Sequence, residues 1–432
     1  MTGGQATSEA SPRDIAQAVG DVCERGFSLI EMVTALAVMM AAIGGILSIL
    51  HPAQGSFVTE PEVADLQQRM RVAHDTLYKD LVMAGAGAYL GGQTGSLIYF
   101  FPPVLPFRQG AIGGAPAGAF ARSGPLPPDT TDTVTVIYVP STTAQTTLAN
   151  DVVGGGLMSV NVESDCPRNP GGTPQNLCGF EPQMSVLMFD HTGNYDTFTI
   201  SSVSDAAANI TVNRPGDAVT TTYRGGPPGT PGIAKVTQAV IRTYFRKADT
   251  NQLAYYDGST RPDVPVVDNV VDLWFEYWGD PNPPLRTSKP IADAIGPWQT
   301  YGPRPAIGPS GTAYPASENC AFTYDGSQHL PRLPILASGA NATALVKLTE
   351  AQLSDGLPGW CPDENNANRY DVDLLRIRKI GVTIRIQSAL ASMRGPAGVL
   401  FRNGGTSRSA SRWVPDQEVR FQVAPRNLNL GR

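Results

Sequence analysis

Charge is scarce in this chain: Asp, Glu, Lys and Arg make up 16% of its 432 residues, and the net charge is −6. No block of Lys or Arg stands out, which excludes the basic footprint of a nucleic-acid binder. Histidine is limited to His51, His74, His191 and His329, scattered along the chain, and no Cys-x-x-Cys occurs. Neither pattern points to a zinc site. There is no P-loop, no His-Glu-x-x-His, no Gly-x-Ser-x-Gly and no dinucleotide fingerprint after a strand. Asp190 to Asp196 cluster oxygen ligands around Gly193 without calcium-loop spacing, and read as an Asp/Gly/Asn turn. No catalytic residue, metal or cofactor is expected, and no repeat of fixed period is found.

What is abundant is glycine and proline, 45 and 37 residues. They concentrate in 102–131, 163–182, 223–234 and 279–317, which predicts long loops. One apolar run stands apart. From Phe27 to Leu50 the polar residues are only Ser28, Glu31, Thr34 and Ser48. As a helix this run spans roughly 36 Å, enough for a hydrocarbon core of roughly 30 Å. Gly44-Gly45 and His51-Pro52 read as a soft spot or kink near the outer leaflet, and equally the glycines as a place for close helix packing. Beyond Glu60, Val63, Leu66, Met70, Ala73, Leu77, Leu81 and Ala84 recur at three- and four-residue steps, the stripe of an amphipathic helix. Gly85 or Gly87 suits its C-cap.

After Tyr89 the period changes to two. Strands are expected at 96–101, 133–139, 184–189, 197–203, 236–246, 252–256, 270–278, 377–387 and 418–423. In 270–278 the aromatics Trp274, Phe275, Tyr277 and Trp278 read as alternate positions of a strand. The fold class is α+β: a long N-terminal helix, half transmembrane and half amphipathic, packed on a large antiparallel β-rich head with long Pro/Gly-rich loops. Cysteine is sparse too. Cys166, Cys178, Cys320 and Cys361 follow the apolar run, and Cys23 precedes it. Four cysteines allow three pairings. Cys166–Cys178 with Cys320–Cys361 closes the shortest loops and is the expected set; the alternative is four unpaired buried thiols.

The start of the apolar run reads Arg25-Gly26-Phe27-Ser28-Leu29-Ile30-Glu31. A Gly before Phe, with one carboxylate four residues into an apolar run, resembles the prepilin processing motif of type IV pilin-like proteins. The segments from Leu66-Gln67-Gln68-Arg69 to Ala84-Gly85, 239–245, 270–277 and 420–428 resemble PilW-like minor pilins and the J-type pseudopilins of type II secretion. The resemblance covers about a third of the chain. It implies cleavage between Gly26 and Phe27 by a prepilin peptidase, N-methylation of Phe27, and a role for Glu31 as the assembly key that meets a neighbour's terminal amine. The implied organisation is a leader at 1–26, a transmembrane helix at 27–51, its amphipathic continuation at 52–89 and an extracytoplasmic head at 90–432. The leader carries two arginines against four carboxylates, a net −2, whereas prepilin leaders are commonly basic. The implied function is that of a minor pilin or pseudopilin, a structural subunit and not an enzyme. It would sit single-pass in the inner membrane, with its head in the periplasm or on a filament. Its partners would be other pilin subunits, the peptidase, the assembly platform and lipid, with no nucleic acid. The alternative is a membrane-anchored periplasmic enzyme or adhesin on a pilin-like anchor.

Overall fold

A computed structural model describes residues 27–87, 95–106, 133–154, 156–162, 166, 168, 170–172, 176–190, 195–213, 222–230, 232–257, 263–282, 322–324, 329–331, 336–337, 343–349, 352–353, 372–394 and 414–429. The chain divides into two compact units, Met1–Pro61 and Glu62–Arg432. Helix α1, Leu29–Met83, runs continuously through Gly44, Gly45 and Pro52.

In the second unit α1 buries Leu66, Met70, Ala73, Leu77, Leu81 and Ala84 in the main core, with Val63 at its margin. Each large side chain so buried contributes about 1.5–3 kcal/mol. The helix stops where Gly85 takes φ +78°, a left-handed cap open to glycine at little cost. Residues 96–101, expected as a strand, instead form a 3-10 turn at Leu97–Tyr99. The Ser96 hydroxyl accepts from the Ile98 amide at 3.3 Å and lies 2.9 Å from the Gly85 carbonyl and 2.7 Å from that of Asn427. This local cap outcompetes a ladder.

The β-rich unit begins with β1 (Val104–Pro106) and β2 (Val134–Tyr138). The chain then builds β3 (Gln145–Thr147), β4 (Leu157–Ser159), β5 (Ser185–Phe189), β6 (Tyr195–Ser204), β7 (Asn209–Asn213) and β8 (Lys235–Gln238). It returns through β9 (Val240–Lys247), β10 (Gln252–Tyr256) and β11 (Val264–Val267). There follow β12 (Val270–Gly279), a hairpin of β13 (Phe322–Tyr324) and β14 (His329–Pro331), β15 (Val346–Leu348), β16 (Ile377–Ile386) and β17 (Gln417–Val423). Every pairing between these strands is antiparallel.

One body sheet has the order β1-β2-β9-β10-β11 and the other β15-β12-β16-β17. The remaining large sheet, β3-β8-β5-β6-β7-β4, closes on itself. Leu148 bridges Val160, the Ala149 amide donates to the Ser159 carbonyl at 2.9 Å, and the Asn161 amide donates to the Thr147 carbonyl at 2.9 Å. The Asn161 side-chain amide donates to Thr147 Oγ1, the Leu148 carbonyl and the Gly226 carbonyl, sealing the seam. This six-stranded barrel has its own core, including Val186, Met188, Phe198, Ile200, Val212 and Val236. Alternate residues Leu187, Phe189 and Tyr195 point the other way and join the main core, where Phe101 stacks on Tyr195 at 4.3 Å.

The strand expected at 236–246 is two strands in two sheets. Val240 pairs with Tyr138 in the body, while Gln238 pairs with Val186 in the barrel. The barrel is thus a long excursion inserted between the two arms of one hairpin, β2 and β9.

Cys166 and Cys178 form the expected disulfide, with Cα atoms 4.4 Å apart. Cys320 and Cys361 lie outside the described residues. Leu177 and Cys178 both hold positive φ, 40° and 74°, and the Leu177 amide donates to Asp205 Oδ1 at 2.8 Å. The crosslink therefore pins a backbone that would otherwise relax, with Leu177 buried in the barrel core. Cys178→Ser is expected to lower unfolding free energy by about 3 kcal/mol for a loop of this length, measured by denaturant melts of oxidised protein. Non-reducing peptide mapping recovering both thiols free would show the pairing wrong.

Candidate assembly site

The first unit carries the residues singled out for assembly. Gly26 lies outside the described residues. Phe27 is exposed, and Leu29–Ile49 form a helix long and apolar enough to cross a membrane. At 21 residues it spans roughly 31 Å. Its apolar side chains, from Leu29 to Ile49, are exposed rather than packed in a protein core.

Glu31 is not idle at the head of this helix. Its Oε2 accepts from the Ser28 backbone N–H at 2.9 Å and from the Ser28 hydroxyl at 3.0 Å, while the Glu31 N–H donates to Ser28 Oγ at 3.3 Å. This is a reciprocal capping box, in which the first helical donors are satisfied by side chains. The Ser-x-x-Glu spacing that signals it stands in the sequence at 28–31. The carboxylate is held by Ser28 at an exposed helix start.

The second unit fixes its share of α1 through buried charge that periodicity did not reveal. Glu62 accepts at Oε1 from the Ser388 hydroxyl at 2.8 Å, from the Ala389 amide, and from the Leu390 amide at 3.4 Å. Arg69 approaches the same oxygen at 3.5 Å, holds Asp65 at 2.5 Å, and donates to the Gln387 carbonyl at 3.2 Å. The base of the helical segment is so clamped to the turn after β16. Behind that turn, Arg385 Nε lies 3.3 Å from Asp416 Oδ2. Burial raises the Asp416 carboxyl above its ordinary range, partly offset by the Arg385 charge.

Near the other end of α1, Asp80 is fully buried and takes three donors. Tyr138 Oη donates to Oδ1 at 3.0 Å; Tyr244 Oη and Arg242 Nη1 donate to Oδ2 at 2.6 and 2.7 Å. Arg242 also lies over the Tyr255 ring at 4.7 Å. Burial, and next the Asp80 charge, push both tyrosine hydroxyls far above the ordinary phenol range. Lys235 sits over the Phe100 ring at 5.2 Å, where burial lowers its amine to about 8. In β12, Phe275 and Tyr277 are buried while Trp274 and Trp278 are half-buried, the alternation of a strand.

Among the described residues no group of three or more His, Cys, Asp or Glu is placed to hold a metal. Residues 191–194, next to Asp190, lie outside the described set. The buried carboxylates instead serve as hydrogen-bond acceptors that tie α1 to both body sheets. No family model, no curated protein and no solved structure matches this chain.

Proposed function

We propose that this chain is a minor pilin or pseudopilin: a structural subunit that is clipped before Phe27, held by a single membrane helix, and joined to other pilin-like subunits. The observation that carries the reading is the coincidence of three features at one point. Gly26-Phe27 stands at the entry to an exposed apolar helix of membrane length, and Glu31 stands one turn inside it with its carboxylate at the helix start. A carboxylate on a membrane helix is selected against unless it has a partner there. Cleavage before Phe27 creates an amine on each subunit, and the amine of a neighbour is the cation that Glu31 would take.

The head then lies on the far side of the membrane from the leader, in the periplasm or on a filament. Its modest charge, many loops and disulfide suit an oxidising compartment. The test is processing. Protein from membranes of a host with an active prepilin peptidase is expected to begin at N-methyl-Phe27 by intact-mass and N-terminal peptide analysis. A mature chain retaining residues 1–26 in that host would sink the reading.

A further inference from the structure

The six-stranded barrel carries a stopper at one end. β3, β5 and β7 start at that end and β8, β6 and β4 finish there, because the strands alternate in direction around the ring. Leu177 and Phe180, shortly before β5, are buried with the barrel core. The Leu177 amide donates to Asp205 in the turn between β6 and β7. Gly179 lies against Thr143, shortly before β3, where an added Cβ would sit 3.0 Å from the threonine hydroxyl. Residues 177–180 therefore touch chain on two sides of the mouth.

The disulfide belongs to the same end. Cys166 follows β4 and Cys178 precedes β5. In the ring order these two strands stand opposite each other, with β6 and β7 between them on one side and β8 and β3 on the other. The bond thus ties chain leaving one wall to chain entering the facing wall. Leu177, Cys178 and Gly179 hold positive φ in succession, 40°, 74° and 99°. Glycine enters that region freely, whereas Leu177 and Cys178, each with a Cβ, are held there against their preference. Three things hold them: apolar burial, the Asp205 contact and the crosslink. Of these, only the crosslink is made and broken by covalent chemistry.

We propose that the Cys166–Cys178 disulfide is a redox latch, whose reduction by a dithiol frees residues 177–180 from the barrel mouth while the strands stay paired. This goes beyond the assembly role proposed above and does not depend on it. A thiolate of the dithiol attacks one sulfur, the S–S bond breaks, and the other cysteine leaves as a thiolate that takes a proton. The second thiol of the reductant then displaces the mixed disulfide, so two electrons pass to the protein and the reductant ends as a disulfide. Both cysteines are buried, at 6% and 3% exposure, so attack follows a local opening of the mouth. With the bond cut, the backbone at Leu177 and Cys178 relaxes out of the left-handed region and unseats Leu177.

The experiment is amide hydrogen exchange on the full chain in detergent, oxidised, reduced with dithiothreitol, and reoxidised. Reduction is expected to speed exchange at the Leu177 amide about a hundredfold, while the wall amides of Leu148 and Val212, which donate to Ala234 and Gly156, change less than about threefold. Reoxidation is expected to restore protection. The double variant Cys166→Ser, Cys178→Ser without reductant is expected to match the reduced protein, which separates this crosslink from the other cysteines. Protection at Leu177 that survives capture of both thiols by a maleimide overturns the latch. Loss of protection that reaches Leu148 and Val212 also overturns it, because the bond then braces the whole barrel. Protection that fails to return on reoxidation overturns the switch.

Discussion

Asp80→Leu is expected to cost about 3–5 kcal/mol of unfolding free energy, the penalty for leaving a buried charge without its counterpart. The carboxylate is fully buried and accepts from two phenols and one guanidinium. Leucine matches its size and burial but strands all three donors. Asp80→Asn keeps one acceptor oxygen and loses the charge, so its cost should fall between wild type and leucine. Adding Arg242→Met to Asp80→Leu should recover part of the loss, because the uncompensated cation is then gone; a double-mutant cycle in denaturant melts reads this coupling. The same hub predicts an alkaline limb. Tyr138 and Tyr244 are held above the ordinary phenol range, by burial first and Asp80 second. Their contribution is complete below the unfolded value near pH 10, and is lost as pH rises beyond it, because the unfolded chain gives up protons that the folded one retains. A melting curve flat from pH 9 to pH 11 would contradict this, as would an Asp80→Leu variant as stable as wild type.

Asp80 also marks the limit of what was legible in the sequence. The stripe from Leu66 to Ala84 was readable because helical period is a local property, and those side chains are buried as the period requires. The acceptor role of Asp80 depends on residues 58 to 164 positions away, which no local pattern reports. The stretch from Val236 to Arg246, rich in β-branched and aromatic residues and without Gly or Pro, gave no sign of the break at Ala239. That break is tertiary: the Ala239 amide donates to Ser185 in the barrel, whereas Val240 pairs with Tyr138 in the body. The barrel itself was hidden because the strands that close it, Gln145–Thr147 and Leu157–Ser159, are three residues each, too short for alternation to register. The apolar run at 96–101 failed in the opposite way. It has strand composition, but Ser96 caps a turn instead. At the candidate site Glu31 was legible as an anomaly of position, a carboxylate in an apolar run. The role of its partner Ser28 is legible only through spacing, since Ser-x-x-Glu before an apolar run is an N-terminal capping signature.

Glu31→Ala is expected to leave cleavage before Phe27 and membrane insertion intact while abolishing co-purification with partner pilins. Removing a carboxylate from the membrane segment favours insertion of an isolated helix, so a simple anchor would tolerate or prefer the change. Alanine also keeps high helix propensity, and what it removes locally is one half of the Ser28 capping box. Ser28→Ala removes the other half and leaves the carboxylate in place, so it separates capping from charge. If the box alone mattered, the two variants would behave alike. If the carboxylate meets a neighbour's Phe27 amine, only Glu31→Ala loses the partners, because only there does the amine face apolar surroundings unpaired. Glu31→Gln should fail as Glu31→Ala does, since an amide keeps the shape without the charge, and Glu31→Asp should retain part of the function with a carboxylate one methylene short. The readouts are co-immunoprecipitation from detergent-solubilised membranes and counts of filaments or secreted cargo. Wild-type recovery of partners by Glu31→Ala would remove the carboxylate from assembly, and would leave a plain single-helix anchor bearing the β-rich unit as the better account of this chain.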